Sequence, residues 1–277
     1  MRRLLLACIA VLLALPAYAD GFITRLLDKP VPGGVAVVDL GDSPQAPRVT
    51  YQRKPVLVVR EDDARWIAIV GIPLTAKPGA QQVSVDGGST GELSFTVGPR
   101  TYKEQRITLK NKEQVSPSPA NVKRFERELA EQLKAYDQFS PRQPSNLLFD
   151  PPVDGPLSSP FGLRRFFNGE ERNPHSGLDF AVGAGTPIKS PAAGKVILVG
   201  DYFFNGKTVF VDHGQGLISM FCHMSKVDVK VGDELTRGGI VGRVGATGRA
   251  TGPHLHWNVS LNGVRVDPSI FIGKYRP

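Results

Sequence analysis

Cysteine is almost missing from this chain: Cys8 and Cys222 are the two among 277 residues. Cys8 falls in a segment expected to be removed, so the mature chain would keep Cys222 alone, and an internal disulfide is excluded. No apolar run reaches the ~20 residues that a helix needs to cross a bilayer. No internal repeat, low-complexity tract or nucleic-acid-binding motif is visible. Histidine is absent before position 175. The first half therefore reads as a binding, positioning or shielding region, and the imidazole chemistry falls to the second half.

What is present sets the compartment and the size. Met1-Arg2-Arg3, the apolar run Leu4 to Leu15 and the A-x-A pattern Ala17-Tyr18-Ala19 read as a secretory signal over residues 1–19, cleaved after Ala19. Leu5-Leu6-Ala7-Cys8 resembles a lipobox, but cleavage before Cys8 would leave almost no apolar run. Cys8 is therefore read as one more apolar residue of the signal. With 41% hydrophobic and 22% charged residues, the remainder can fill one large core or two modest ones. The formal charge of +8 falls to +6 once Arg2 and Arg3 leave with the signal. A basic exported protein suits anionic wall polymers or membrane surfaces, and nucleic acid is not an expected partner.

Between residue 31 and about residue 110, short apolar runs alternate with turn residues. The runs are Val35–Val38, Pro55–Val59, Trp66–Val70, Glu92–Val97 and Arg106–Leu109, with breaks at Gly33-Gly34, Asp86-Gly87-Gly88 and Gly98-Pro99. They predict a small all-β, sandwich-like domain over residues 20–115. Val122, Phe125, Leu129, Leu133 and Tyr136 then recur at spacings of three and four, which predicts an amphipathic helix with Asn121 as its N-cap. The proline-rich stretch after Pro141 closes it, so residues 116–150 form helix and linker. From residue 151 to 277 the strand pattern returns with many glycines, and the expected fold class is mainly β and antiparallel.

Four of the five histidines sit in three short motifs: His175-Ser176-Gly177-Leu178-Asp179, Cys222-His223-Met224 and Gly252-Pro253-His254-Leu255-His256. Residues two or four apart on an extended chain project from one face, so His254 and His256 can converge on one ion or water. His175 and Asp179 are also an even number apart, with Pro174 and Gly177 indicating a loop that runs into a strand. Two imidazoles and a carboxylate make a three-ligand set suited to zinc, leaving a fourth position for water. His213 in its glycine turn reads as structural, and Trp257, facing away from the two histidines beside it, reads as core. Cys222 reads as a buried small hydrophobe facing away from His223, and Arg164 and Arg165 as solvated loop arginines.

Over residues 155–270 the chain resembles the catalytic domain of the lysostaphin and LytM-type zinc endopeptidases. The resemblance rests on Ser159-Pro160-Phe161-Gly162-Leu163-Arg164, the H-x-x-x-D motif, Gly185-Thr186-Pro187-Ile188, Ala193-Gly194-Lys195-Val196, Val211-Asp212-His213-Gly214, His223-Met224-Ser225, Gly245-Ala246-Thr247-Gly248 and Thr251-Gly252-Pro253-His254-Leu255-His256-Trp257. It implies a LytM-like antiparallel domain with a duplicated hybrid motif, and one zinc ion per chain held by His175, Asp179 and His256. By the same resemblance, His223 and His254 are the catalytic pair that meets water and substrate carbonyl. Phe221 and Cys222 depart from the aromatic hydroxyl that commonly precedes the family's catalytic histidine.

The resemblance further implies hydrolysis of peptide cross-links in peptidoglycan, in a Gram-negative periplasm. The partners would be peptidoglycan stem peptides, with no regulator named by the sequence. Two other functions stay open: a non-catalytic relative that binds the wall and activates an amidase, and an endopeptidase for another target. Retention of all five expected positions weighs against the first. With no dedicated wall-targeting domain in view, wall remodelling is the expected role. Residues 20–150 are expected to restrict access to the groove.

Overall fold

The computed structural model describes residues 21–87 and 91–273. The expected signal with Cys8, and Gly88 of the predicted turn, lie outside the described residues. After a short helix α1 (Phe22–Leu27), the chain forms β1 (Val35–Asp42), β2 (Arg48–Tyr51), β3 (Lys54–Pro55), β4 (Leu57–Arg60), β5 (Arg65–Gly71), β6 (Gly79–Asp86) and β7 (Gly91–Val97). Two antiparallel sheets result, ordered β1-β5-β4 and β3-β2-β6-β7.

β5 shows why its sequence does not alternate. Trp66, Ala68 and Val70 pack with Val49, Tyr51, Val83 and Val85 of the four-stranded sheet. Ile67 and Ile69, on its other face, join a core that includes Leu178, Trp257 and Leu261 of the C-terminal half. A strand covered on both faces carries apolar residues at every position. The two halves thus share one core, and the seam is also hydrogen-bonded. Asn262 Oδ1 accepts from Gly71 N at 2.7 Å while its Nδ2 donates to Gly71 O at 3.1 Å.

β8 (Glu104–Ile107) departs from the expected grouping with the first half. It pairs in parallel with β10 (Arg164–Phe167), which pairs in turn with β11 (Glu170–Arg172). Helix α2 follows over Pro119–Tyr136. Its N-cap is Ser118 rather than Asn121, because Pro119 takes the first helical position, where its fixed φ suits the helix and its missing N–H costs nothing. The side chain of Asn121 donates to Glu113 instead. α2 buries Ala135 and Tyr136 against Phe210, Ile218 and Met220, leaving Val122, Leu129 and Leu133 exposed.

In the C-terminal half, eight strands form one antiparallel sheet: β9 (Leu157–Ser159), β12 (Leu178–Phe180), β14 (Gly194–Tyr202), β15 (Gly206–Gly214), β16 (Leu217–Met224), β18 (Glu234–Leu235), β20 (Leu255–Leu261) and β21 (Val264–Val266). The order is β18-β14-β15-β16-β20-β12-β9, with β21 on β20. A small sheet of β13 (Pro187–Lys189), β19 (Ile240–Arg243) and β17 (Lys226–Val227) flanks it. One face of the main sheet carries Leu178, Phe221, Leu255 and Trp257 into the shared core. The opposite face carries the polar site. Among the described residues, no helix is long and apolar enough to cross a membrane.

Candidate metal centre and active-site cleft

Strand register assembles the site. Cys222 on β16 stands opposite His256 on β20, His256 opposite Asp179 on β12, and Asp179 opposite Ser159 on β9. Cross-strand partners share a face, so these four residues form a row across the sheet. His175 arrives from the loop that precedes β12, as the proline and glycine around it indicate. Its Nε2 lies 2.9 Å from Asp179 Oδ1 and 3.0 Å from His256 Nδ1, and His256 Nδ1 lies 2.8 Å from the same carboxylate oxygen. Among the described residues this is the one group of three or more His, Cys, Asp or Glu donors close enough to share an ion.

The hydrogen bonds around the group fix where its lone pairs point. His175 Nδ1 is 2.7 Å from the carbonyl of Pro160, which can only accept, so Nδ1 carries the proton and Nε2 presents a lone pair inward. Asp179 is nearly buried, which by itself would raise its pKa. The close ring contacts of His175 and His256 outweigh burial and hold the carboxyl well below the usual range. Burial pushes the His256 imidazole down to about 4 against the opposing pull of Asp179. The three inward atoms are thus two imidazole nitrogens and a carboxylate oxygen, all within hydrogen-bond reach of one another. A cation among them satisfies all three.

His223 reaches the same face through a distortion. In a regular strand it would follow Phe221 into the core, with Cys222 on the far side. Between Lys207 and Val209 the register of β15 with β16 shifts, and His223 has φ of 60°. A β-bulge of this kind re-aims a side chain, and left-handed backbone at a non-glycine residue is the sort of strain found at functional sites. Contrary to the strand-alternation expectation, Cys222 and His223 therefore line one cleft. Cys222 is buried against Tyr136 and Phe210, as a small hydrophobe, with burial raising its thiol pKa well above the ordinary value.

His223 and His254 stand as a pair, ring centroids 4.8 Å apart, with His223 6.0 Å from His256. Each anchors Nδ1 on a backbone carbonyl, Thr247 O at 2.8 Å and Gly252 O at 2.9 Å respectively. With Nδ1 so engaged, Nε2 of each ring is the nitrogen left to face the cleft. Burial, then the neighbouring imidazoles of His256 and His254, lower the His223 pKa to about 3. His213 stays apart, with Nδ1 on Ala193 O, Nε2 on Ser219 Oγ and its ring against Phe149. Trp257 is fully buried in the shared core.

A cleft of about 1090 Å³ joins these groups, lined by the five site residues on one side and by Val122, Leu129 and Leu133 of α2 on the other. The exposed apolar stripe of the helix is therefore a cleft wall. Arg165 corrects its reading as a solvated residue: its Nη2 bonds Asp179 Oδ2 at 3.0 Å and it is largely buried. Arg164 pairs with Glu171 and Glu104 at the surface. Gln105 and Ser159 also reach the site, and no local pattern announces Gln105, because its contacts are 54 and 60 residues away.

Residues 173–268 match Peptidase family M23, and residues 28–100 match the Peptidase family M23 N-terminal domain. A solved structure of a candidate M23 peptidase from Pseudomonas aeruginosa is 63% identical, with TM-score 0.79, over 92% of this chain and 100% of that one. The chain belongs to peptidase family M23. Among curated relatives, the peptidoglycan DD-endopeptidase ShyA of Vibrio cholerae is 38% identical over 115 residues, 40% of this chain. The DD-carboxypeptidase/endopeptidase Mpg of Neisseria meningitidis is 37% identical over 120 residues, 43% of this chain. The matched stretch spans 27% of the length of each of those two relatives.

Proposed function

We propose that this M23 protein is an exported, zinc-dependent endopeptidase that hydrolyses peptide cross-links of peptidoglycan in the Gram-negative periplasm. The observation that carries the reading is the convergence of His175 Nε2, Asp179 Oδ1 and His256 Nδ1 within 2.8–3.0 Å of one another. A tetrahedral zinc site with bonds near 2.0 Å asks for ligand separations of roughly 3.3 Å, so the donors need to part by only a few tenths of an ångström. The donor set is that of catalytic zinc sites, with three protein ligands and an open position.

Zinc held there would bring the pKa of a bound water to about 7 and polarise the scissile carbonyl. The chain's own residues do the rest. His223 and His254, with Nδ1–H fixed on the backbone, present Nε2 to take a proton from the attacking water; once protonated, that Nε2–H can donate to the charge on the carbonyl oxygen or pass its proton to the leaving amine. The wall formed by α2 gives the peptide an apolar surface to lie on. The similarity to proteins named as DD-endopeptidases favours the D-Ala to diaminopimelate cross-link.

The test is digestion of purified cross-linked peptidoglycan by residues 20–277, with chelator and with zinc restored, and products identified by mass spectrometry. Loss of cross-linked species that chelator abolishes and zinc restores is the expected result. A zinc-loaded chain that leaves every cross-link intact would shift the assignment to wall binding and amidase activation.

A further inference from the structure

Asp179 divides its two oxygens between different tasks. Oδ1 faces His175 and His256, whereas Oδ2 takes the hydrogen bond from Arg165. The guanidinium is itself held, because Arg165 Nε donates to Gln105 Oε1 at 3.0 Å. Gln105 Nε2 in turn donates to Ser159 Oγ at 3.2 Å, and that hydroxyl lies 3.4 Å from His175 Nδ1. Gln105 is therefore bonded to one neighbour of each of two candidate metal ligands.

The backbone fixes this arrangement. β8 and β10 pair in parallel with Gln105 opposite Arg165, so the two side chains emerge together on one face. Both residues lie outside the segments matched to the family, 28–100 and 173–268. A strand that precedes α2, 74 residues before Asp179, thus belongs physically to the metal centre.

We infer that Gln105 and Arg165 are positioning residues for the metal: they hold Asp179 Oδ2 away from the ion, so that the carboxylate ligates through Oδ1 alone and one coordination position stays open. A free Asp179 could supply both oxygens and fill the place that water or the substrate carbonyl needs. Outer contacts of this kind typically govern ligand orientation, and losing one costs ~10–100-fold in metal affinity or activity. The inference rests on the zinc reading above, and it makes the N-terminal half a working part of the site.

The test uses the full residues 20–277 chain loaded with Co²⁺, whose visible d–d absorption is strong in four-coordinate and weak in five-coordinate sites. Arg165→Met and Gln105→Met are expected to lose much of that absorption. Their kcat should fall, by roughly 10–100-fold and roughly tenfold respectively, with KM little changed. Arg165→Lys, which keeps the charge but cannot reach Asp179 and Gln105 as a planar fork, should fall between wild type and Arg165→Met. Combining Gln105→Met with Arg165→Met should lower the cobalt absorption no further than Arg165→Met alone, since Gln105 reaches Asp179 only through Arg165. If Arg165→Met does not fold, Gln105→Met and Arg165→Lys carry the same readouts. Unchanged cobalt spectra and kcat in these variants, or independent losses in the double variant, would overturn the inference while leaving the zinc reading intact. A wild-type chain that binds no cobalt, or binds it unchanged after His175→Ala, would overturn both.

Discussion

Gly177 lies so close beneath His256 that a methyl group on it would stand 2.9 Å from the ring atoms Cε1 and Nε2, and 2.4 Å from the backbone oxygen of Trp257. The glycine of the H-x-x-x-D motif is thus a clearance for His256, the third proposed ligand. Gly177→Ala must push His256 or β20 aside, and overpacking of this kind costs about 1–3 kcal/mol. Thermal unfolding should register that loss, and zinc content per chain should fall with it. An alanine variant with unchanged melting temperature and full zinc content contradicts the account.

The buried, neutral His213 sets a pH dependence that is separate from the metal. Burial lowers its pKa from 6.5 to about 4. Above pH 6.5 the ring is neutral in both the folded and the unfolded chain, and its contribution to stability is fully retained. As pH falls from 6.5 toward 4 the unfolded chain takes up a proton that the folded one refuses, so stability drops by up to ~1.4 kcal/mol per pH unit for this residue. Denaturant unfolding of metal-free protein across that range should show the slope. His213→Gln should flatten it by one proton.

Cys222 is the single cysteine of residues 20–277 and is buried with its thiol pKa raised. Reactivity follows the exposed thiolate. A maleimide or iodoacetamide should leave the folded protein unlabelled and modify it stoichiometrically in denaturant. Rapid labelling under native conditions would contradict the packing described for β16.

Helix α2 is tied to β20, the strand that bears His256, since Tyr136 Oη donates to Asn258 Oδ1 at 2.9 Å in a buried contact. Tyr136→Phe leaves that oxygen unsatisfied and should cost about 1–3 kcal/mol in denaturant unfolding. A chain starting at residue 150 would bare Phe210, Ile218 and Met220 and lose Gln105 as well. It is expected to melt lower than residues 20–277, with no gain in hydrolysis. A stable, more active fragment would instead support a segment that only restricts access.

The parts of the site that were legible in the sequence are those built by local periodicity. His256 stands on β20 with His254 two residues before it on an isolated bridge, and His175 and Asp179 bracket a loop-to-strand turn, so their placement at one site follows from local backbone geometry. The helix was legible from Val122, Phe125, Leu129, Leu133 and Tyr136, although its apolar stripe proved to line the cleft in part. Other features depend on long-range pairing that no window shows. The bulge at His223 comes from the fit of β16 to β15. The pairing of β8 with β10 places Gln105 beside Arg165, and the second buried face of β5 depends on the C-terminal core. Arg165 carries no local sign of burial, because its partner Asp179 lies 14 residues ahead across a sheet edge.

The most direct measurement is zinc per chain and peptidoglycan hydrolysis, determined together for His175→Ala, Asp179→Ala, His256→Ala, His223→Ala and His254→Ala. The first three are expected to lose both zinc and hydrolysis, whereas the last two keep one zinc per chain and still lose hydrolysis. Full zinc occupancy after His175→Ala, or undiminished hydrolysis in the zinc-free variants, would contradict the account.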